Sequence, residues 1–230
     1  MQLYGFQKMT MLDFPGKVAC TAFTAGCNFR CSFCHNASLV THIDAGAAVD
    51  ERDVFAYLEK RRGVLDGLCL TGGEPLLYDG VEDFLKRVRS LGLAIKVDTN
   101  GSFPERLRSL VEEGLVDYVA MDIKNCRERY AETVGLSHLD LAPIEQSVSY
   151  LLSGPVDYEF RTTVVKDLHT PQDVVAIGEW VKGAKHFFLQ NFVDSGDLIS
   201  AGLCGISPSE MREYLSLLSP FVENISLRGL

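Results

Sequence analysis

Three thiols crowd into one eight-residue stretch, Cys27-Asn28-Phe29-Arg30-Cys31-Ser32-Phe33-Cys34, close enough to serve a single metal centre. Soft thiolates favour zinc or iron–sulfur chemistry. A structural zinc site wants four ligands, commonly as two separated pairs. No second pair follows here, and His35, adjoining Cys34, is an awkward fourth ligand. Iron–sulfur clusters are ordinarily held by four cysteines, so three thiolates imply one iron left open to a substrate or cofactor. The plainer alternative is a zinc knuckle that borrows Cys126 or Cys204. Cys20 and Cys69 lie within apolar runs, where free cysteine behaves as a small hydrophobe.

Other chemistry-bearing residues recur where apolar runs end. Val18 to Phe23 leads into Thr24-Ala25-Gly26-Cys27, and Gly67 to Thr71 into Gly72-Gly73-Glu74-Pro75. Ala94 to Asp98 leads into Thr99-Asn100-Gly101, and Tyr118 to Asp122 into Ile123-Lys124. Tyr158 to Val165 carries Arg161, and His186 to Phe192 contains Gln190-Asn191. Runs rich in Val, Ile, Phe, Tyr and Leu read as strands. Turn chemistry alone does not explain six in succession marked at the same end.

Between these runs lie segments of helical period: Asp50 to Arg62, Val81 to Leu91, Pro104 to Glu113, Pro143 to Leu152 and Pro171 to Lys182. In the second, Val81, Phe84, Leu85, Val88 and Leu91 share one face and Glu82, Asp83, Lys86, Arg87 and Arg89 the other. Pro104, Pro143 and Pro171 suit a first helical turn, with Thr170 as a cap. Alternating strands and helices predict a parallel α/β fold. Six βα units fall short of a complete eight-unit barrel of ~250 residues. An incomplete barrel or an open doubly wound sheet remains, and both place chemistry at the carboxyl ends of the strands.

The whole sequence suits one core. Its 230 residues are 47% hydrophobic and 23% charged, far from the composition of a disordered chain. We expect one domain over 1–230: an N-terminal segment 1–16, a partial barrel core 17–195 and a C-terminal extension 196–230. No uncharged stretch is long enough to span a bilayer, and Met1 to Lys17 lacks the apolar run of a signal peptide. A cytoplasmic protein is expected, without a membrane. With 22 Lys and Arg against 31 Asp and Glu, a net charge of −9 argues against nucleic acid as a partner.

The C-x3-C-x-aromatic-C spacing, with Phe33 as the aromatic, resembles the cluster loop of the radical S-adenosylmethionine enzymes. Thr71-Gly72-Gly73-Glu74-Pro75 is similar to that family's Gly-Gly-Glu-Pro element. A closer resemblance is to glycyl-radical-enzyme activases, and within them to the anaerobic ribonucleoside-triphosphate reductase activating proteins. It is carried by Thr10 to Lys17, Gly26 to Cys31 with Cys34-His35-Asn36, Val97 to Gly101, Met121 to Lys124 and Leu189 to Phe192. The resemblance implies an incomplete (βα)6 TIM-like barrel of the radical SAM type.

It further implies that Cys27, Cys31 and Cys34 hold a [4Fe–4S] cluster whose open iron is chelated by S-adenosylmethionine. An electron from a flavodoxin or ferredoxin would then release a 5′-deoxyadenosyl radical, which takes hydrogen from a glycine of a partner enzyme. By the same resemblance Gly72, Gly73 and Glu74 border the methionine ammonium, Arg161 its carboxylate, Lys124 neighbours the same cofactor, and Phe33 lies near the adenine. Asn36 and Asn100 are further cofactor contacts. Asp98, Thr99, Met121 and Asp122 match residues around a monovalent cation. The implied partner is the large subunit of an anaerobic ribonucleoside-triphosphate reductase. Alternatives are pyruvate formate-lyase, another glycyl radical enzyme, or a small-molecule substrate. In a different class stands a non-catalytic zinc or Fe–S electron-transfer protein.

Overall fold

A computed structural model describes residues 1–229. Eight strands form one sheet in which each lies beside the next in sequence: β1 (Gly5–Thr10), β2 (Ala19–Thr24), β3 (Gly67–Gly72), β4 (Ala94–Thr99), β5 (Tyr118–Asp122), β6 (Asp157–Val164), β7 (Ala184–Asn191) and β8 (Val222–Arg228). β1 runs antiparallel to β2, and all later pairs are parallel. The helices are α1 (Ala37–Thr41), α2 (Glu51–Lys60), α3 (Val81–Ser90), α4 (Pro104–Glu112), α5 (Tyr130–Thr133), α6 (Ala142–Leu152), α7 (Pro171–Trp180) and α8 (Pro208–Leu218). An unskipped strand order follows when each crossover returns the chain beside the strand it has just left. Among the described residues β1 and β8 do not pair, so the barrel is incomplete, as expected.

The two faces of the sheet differ. Leu68, Leu70, Ile95, Val97, Val119, Phe160, Phe187 and Leu189 alternate onto the outer face, where they share a core with Phe84, Leu85, Val88, Leu107 and Leu110 of the helices. The inner face departs from the layered aliphatic filling of a complete barrel. Lys96 and Asp98 on β4, Asp122 on β5 and Glu159 and Arg161 on β6 point inward together and pair with one another or, for Glu159, with Arg228 of β8 two strands away. Cys69 belongs with them: its Sγ lies 3.6 Å from Asp98 Oδ1 and 3.7 Å from Lys96 Nζ. The expectation of a purely apolar setting for Cys69 is therefore corrected.

Both flanking segments add a strand to the sheet, which periodicity did not anticipate. Between β1 and β2, Phe14 is buried beneath the first residues of the inner strands. A Cβ on Gly67 would lie 3.0 Å from its ring and 2.8 Å from the Ala94 carbonyl. This aromatic fills the barrel mouth opposite the strand carboxyl ends. At the other edge β8 brings Arg228 onto buried Glu159 by two hydrogen bonds of 3.0 and 3.1 Å. Alternation of Ile225 and Leu227 with Asn224, Ser226 and Arg228 was the available signal for β8; β1 has none as clear.

Thr170 forms a capping box with Asp173, whose carboxylate also takes Arg129. Removing the hydroxyl in Thr170→Ala leaves the Asp173 N–H unsatisfied and is expected to lower stability by about 1 kcal/mol. Urea unfolding followed by circular dichroism checks this; an unchanged midpoint would show that the cap contributes nothing.

Candidate functional site

The cysteine loop leaves the carboxyl end of β2 and is tied down from several sides. Gly26 N–H donates to Leu39 O at 2.6 Å, and Arg30 N–H to Val134 O at 2.8 Å. Asn36 Nδ2 donates to Gly72 O at 3.0 Å, fastening the loop to the end of β3. The segment after β7 completes the anchorage: Ser200 N–H donates to Ser32 O, and Asp197 accepts from both the N–H and the hydroxyl of Ser38. His35 stacks on Phe192, with ring centroids 5.3 Å apart.

Under this loop lies a cavity at the carboxyl ends of the strands, about 940 Å³ with its open mouth included. Its walls include Cys27, Cys31 and Cys34, Phe33, Asn36, Gly72, Gly73, Asp98, Thr99, Asn100, Asp122, Lys124 and Arg161. Tertiary structure thus brings together residues that lie up to 134 positions apart. Burial raises the Cys27 thiol and pushes Cys31 up to about 12, while the nearby Lys124 ammonium acts in the opposite direction. Metal binding must therefore displace thiol protons. Among the described residues no three Cys, His, Asp or Glu side chains converge on a single ion. Three soft sulfur donors on one cavity wall are the donor chemistry that iron–sulfur clusters take.

Opposite the thiols runs a chain of five charges. Lys96 pairs with Asp98 Oδ1, Arg161 Nη1 lies 3.1 Å from Asp98 Oδ2, Arg161 Nε lies 2.8 Å from Asp122 Oδ1, and Lys124 Nζ lies 3.0 Å from Asp122 Oδ2. Burial, the largest single influence, would push both carboxyls up; Arg161 together with Lys96 at Asp98, and Arg161 together with Lys124 at Asp122, overcome it, and both fall below the usual carboxylate range. Three cations face two carboxylates, a surplus of one positive charge. Arg161 Nη2 has no protein partner among the described residues, and the residue borders the cavity. An anionic group of a ligand fits there.

Several expected roles change when the side chains are located. Glu74 does not reach the cavity: it is fully buried and accepts from Leu76 N–H, Thr99 Oγ1 and Asn100 N–H, joining the ends of β3 and β4. The glycines before it serve the backbone first. At Gly72 φ is +124°, and a Cβ would lie 2.1 Å from Thr24 O; at Gly73 it would lie 1.9 Å from Gly26 O. Only glycine lets the strand end pass this close to the cysteine loop. The four residues of the expected cation site do not form a bare oxygen cage. Asp98 and Asp122 are paired with Lys96, Arg161 and Lys124, Thr99 donates to Glu74, and Met121 is buried against Gly101. Phe33 is nearly buried, with its ring edge-on to His169 while bordering the cavity.

Two neighbours of the site escaped sequence reasoning. Lys96 had a signal, a lone charge two residues before Asp98 and hence on the same strand face. His169 had none. Its Nε2 donates to Lys124 O at 2.8 Å while Nδ1 accepts from Val165 N–H at 3.1 Å, so the imidazole fixes the backbone from which Lys124 extends.

Burial raises Glu74 from 4.5 to about 7 against its three donors. The folded state then binds more protons than the unfolded between about pH 4.5 and 7, so this residue lowers stability as pH rises through that window. Asp98 and Asp122 act elsewhere: their contribution is lost only as pH falls below about 4. Glu74→Gln should flatten the decline between pH 4.5 and 7 relative to the unsubstituted protein in urea titrations. Parallel pH profiles for the two proteins would refute the assignment.

Comparison with known proteins agrees with this geometry. The model of the Radical SAM superfamily matches residues 21–181, well over half of the chain. A Methanocaldococcus jannaschii protein, provisionally named a glycyl-radical enzyme activating enzyme, is 28% identical over 97% of this chain and 94% of its own length. The pyruvate formate-lyase-activating enzyme of Listeria monocytogenes is 27% identical over 79% of this chain and 76% of its own. Among solved structures, Streptococcus suis SuiB bound to its precursor peptide SuiA superposes with a TM-score of 0.72 at 13% identity. The match covers 91% of this chain and 48% of SuiB, a likeness of fold. Enzymes of the superfamily use a [4Fe–4S] cluster and S-adenosylmethionine, and three thiols beside a cavity with surplus positive charge suit both. The chain belongs to the radical SAM superfamily.

Proposed function

We propose that the chain is a glycyl-radical-enzyme activase, and that its partner is the large subunit of an anaerobic ribonucleoside-triphosphate reductase. The observation that carries this reading is the single cavity in which Cys27, Cys31 and Cys34 face the Arg161 and Lys124 cations. Similarity to the M. jannaschii protein over almost the whole of both chains supports the activase class. The stretch Thr10 to Lys17 favours the reductase.

When bound, the cluster and S-adenosylmethionine supply a 5′-deoxyadenosyl radical through one-electron reduction, with flavodoxin or ferredoxin as donor. This chain's own residues would do the following. Cys27, Cys31 and Cys34 would hold the cluster through their thiolates, supplying three protein ligands. Arg161 and Lys124 receive the methionine carboxylate, oriented by the Asp98 and Asp122 carboxylates that grip them from behind. Phe33 and Val40 supply apolar wall that limits water. Glycine suits the hydrogen donor because no side chain shields its α-carbon. The reading places the enzyme in the cytoplasm; among the described residues no helix is long and apolar enough to cross a membrane.

A second reading, activation of pyruvate formate-lyase, is favoured by the Listeria similarity. Against it, Leu189-Gln190-Asn191-Phe192 replaces that family's Leu-Pro-Tyr-His, and Asn191 is spent on both backbone groups of Ile206.

Anaerobic incubation with S-adenosylmethionine, a reductant and each candidate glycyl radical protein should yield a glycyl doublet in electron paramagnetic resonance on the reductase alone. Silence from every candidate while a small molecule is turned over would overturn the activase reading. Cys31→Ala should abolish cluster assembly and adenosyl cleavage together. Stoichiometric zinc without labile sulfide in anaerobically purified protein would instead favour the non-catalytic class. Arg161→Lys, which loses the fork but keeps the charge, should raise the KM for S-adenosylmethionine by about tenfold, the equivalent of one charge-assisted hydrogen bond. An unchanged KM would remove Arg161 from carboxylate binding.

A further inference from the structure

Beside Cys27 three polar side chains close a ring, drawn from the cysteine loop and from the loop after β4. Asn28 Nδ2 donates to Ser102 Oγ at 2.9 Å, Ser102 Oγ donates to Asn100 Oδ1 at 2.5 Å, and Asn100 Nδ2 donates to Asn28 Oδ1 at 2.9 Å. Ser102 N–H also donates to Asn100 Oδ1, at 2.9 Å. These bonds determine which end of the Asn100 amide is oxygen, because a flipped amide would set its NH2 against two donors from Ser102. The second N–H of Nδ2 is left for the Cys27 sulfur, 3.7 Å away.

Three further facts make this contact a fixed one. Asn100 is 5% exposed, so its amide is not free to turn toward solvent. Its backbone N–H is held by Glu74 Oε2 at 2.7 Å. The same sulfur accepts from Phe29 N–H at 3.3 Å, giving Cys27 two donors, whereas the Cys31 and Cys34 sulfurs accept from none among the described residues. The ring itself is closed and uses each amide and hydroxyl group once in each role, the arrangement in which hydrogen bonds reinforce one another.

We propose that Asn100 is a positioning residue that sets the reduction potential of the cluster through Cys27, and that Ser102 and Asn28 exist at these places to aim its amide. This rests on Cys27 being a cluster ligand. Uptake of an electron increases the negative charge shared by the cluster and its thiolates. An N–H dipole aimed at a ligating sulfur therefore stabilises the reduced form more than the oxidised form and raises the potential. Asn100 thereby eases the reduction on which radical formation depends.

The test is a spectroelectrochemical titration of the anaerobically reconstituted full chain. Asn100→Ala, with full iron and sulfide content, should show a lower potential than the unsubstituted protein. Ser102→Ala, which keeps the donor but releases its aim, should show a smaller shift in the same direction. A potential that stays in place or rises in Asn100→Ala overturns the proposal, as does a lowered melting temperature with an unmoved potential, the mark of a merely structural ring. If Asn100→Ala fails to assemble a cluster, Ser102→Ala decides: an unmoved potential there overturns the proposal. Absence of iron and sulfide from the unsubstituted protein would instead overturn the cluster assignment, and this inference with it.

Discussion

The constraint on which the rest of the site depends is the line of partly buried charges that crosses β4, β5 and β6. Lys96, Asp98, Arg161, Asp122 and Lys124 alternate in sign, so each carboxylate is held by two cations. Taking charges out of water is costly, and removing one partner leaves a charge uncompensated, most severely at Lys96, the one fully buried member. A core of aliphatic side chains would be at least as stable. The charged arrangement supplies what such a core lacks, a rigid lumen wall that carries a positive surplus at the place where the thiols face it. The same polarity explains why the barrel interior is not packed in layers, and why Cys69 meets a carboxylate and an ammonium where its flanking residues predict only apolar neighbours.

A second constraint is the close passage of the cysteine loop over the end of β3. Gly72 and Gly73 leave no room for a side chain beside Thr24 and Gly26, and Asn36 takes the Gly72 carbonyl. Glu74 then turns inward to gather donors from three residues. These glycines and this carboxylate hold the thiols and the strand ends in one frame. Gly72 and Gly73 border the cavity while Glu74 acts on it only through that frame, which is why a motif that looks like a list of contacts contains a residue that never reaches the cavity.

The segments flanking the barrel core act on the same frame from outside. Phe14 fills the mouth opposite the site, and β8 delivers Arg228 to Glu159, which leaves the carboxyl ends of the strands as the open face. The segment from Val193 to Ser200 returns to the cysteine loop through Asp197 and Ser200. Neither flank carries a strong periodic signal, because an edge strand is shaped by the neighbour it pairs with more than by its own residues.

Local chemistry was legible in the sequence. The spacing of Cys27, Cys31 and Cys34, the apolar runs that became β2 to β7, the helix faces such as Val81-Phe84-Leu85-Val88 and the Thr170 cap all depend on interactions within a few residues, which composition and period encode directly. Counting those units left an incomplete barrel or an open doubly wound sheet, and the family resemblance favoured the barrel. Tertiary structure decided the pairings: that Arg161 is gripped by Asp98 and Asp122, that Glu74 turns away from the cavity, that His169 holds the Lys124 backbone, and that Asn100 turns its amide to Cys27. Such pairings are set by strand register and by the crossing of loops distant in sequence, where a shift of one residue would turn each inward side chain to the other face. No local pattern records that register, so the residues that line the cavity could be named from the chain alone while the groups that orient them could not.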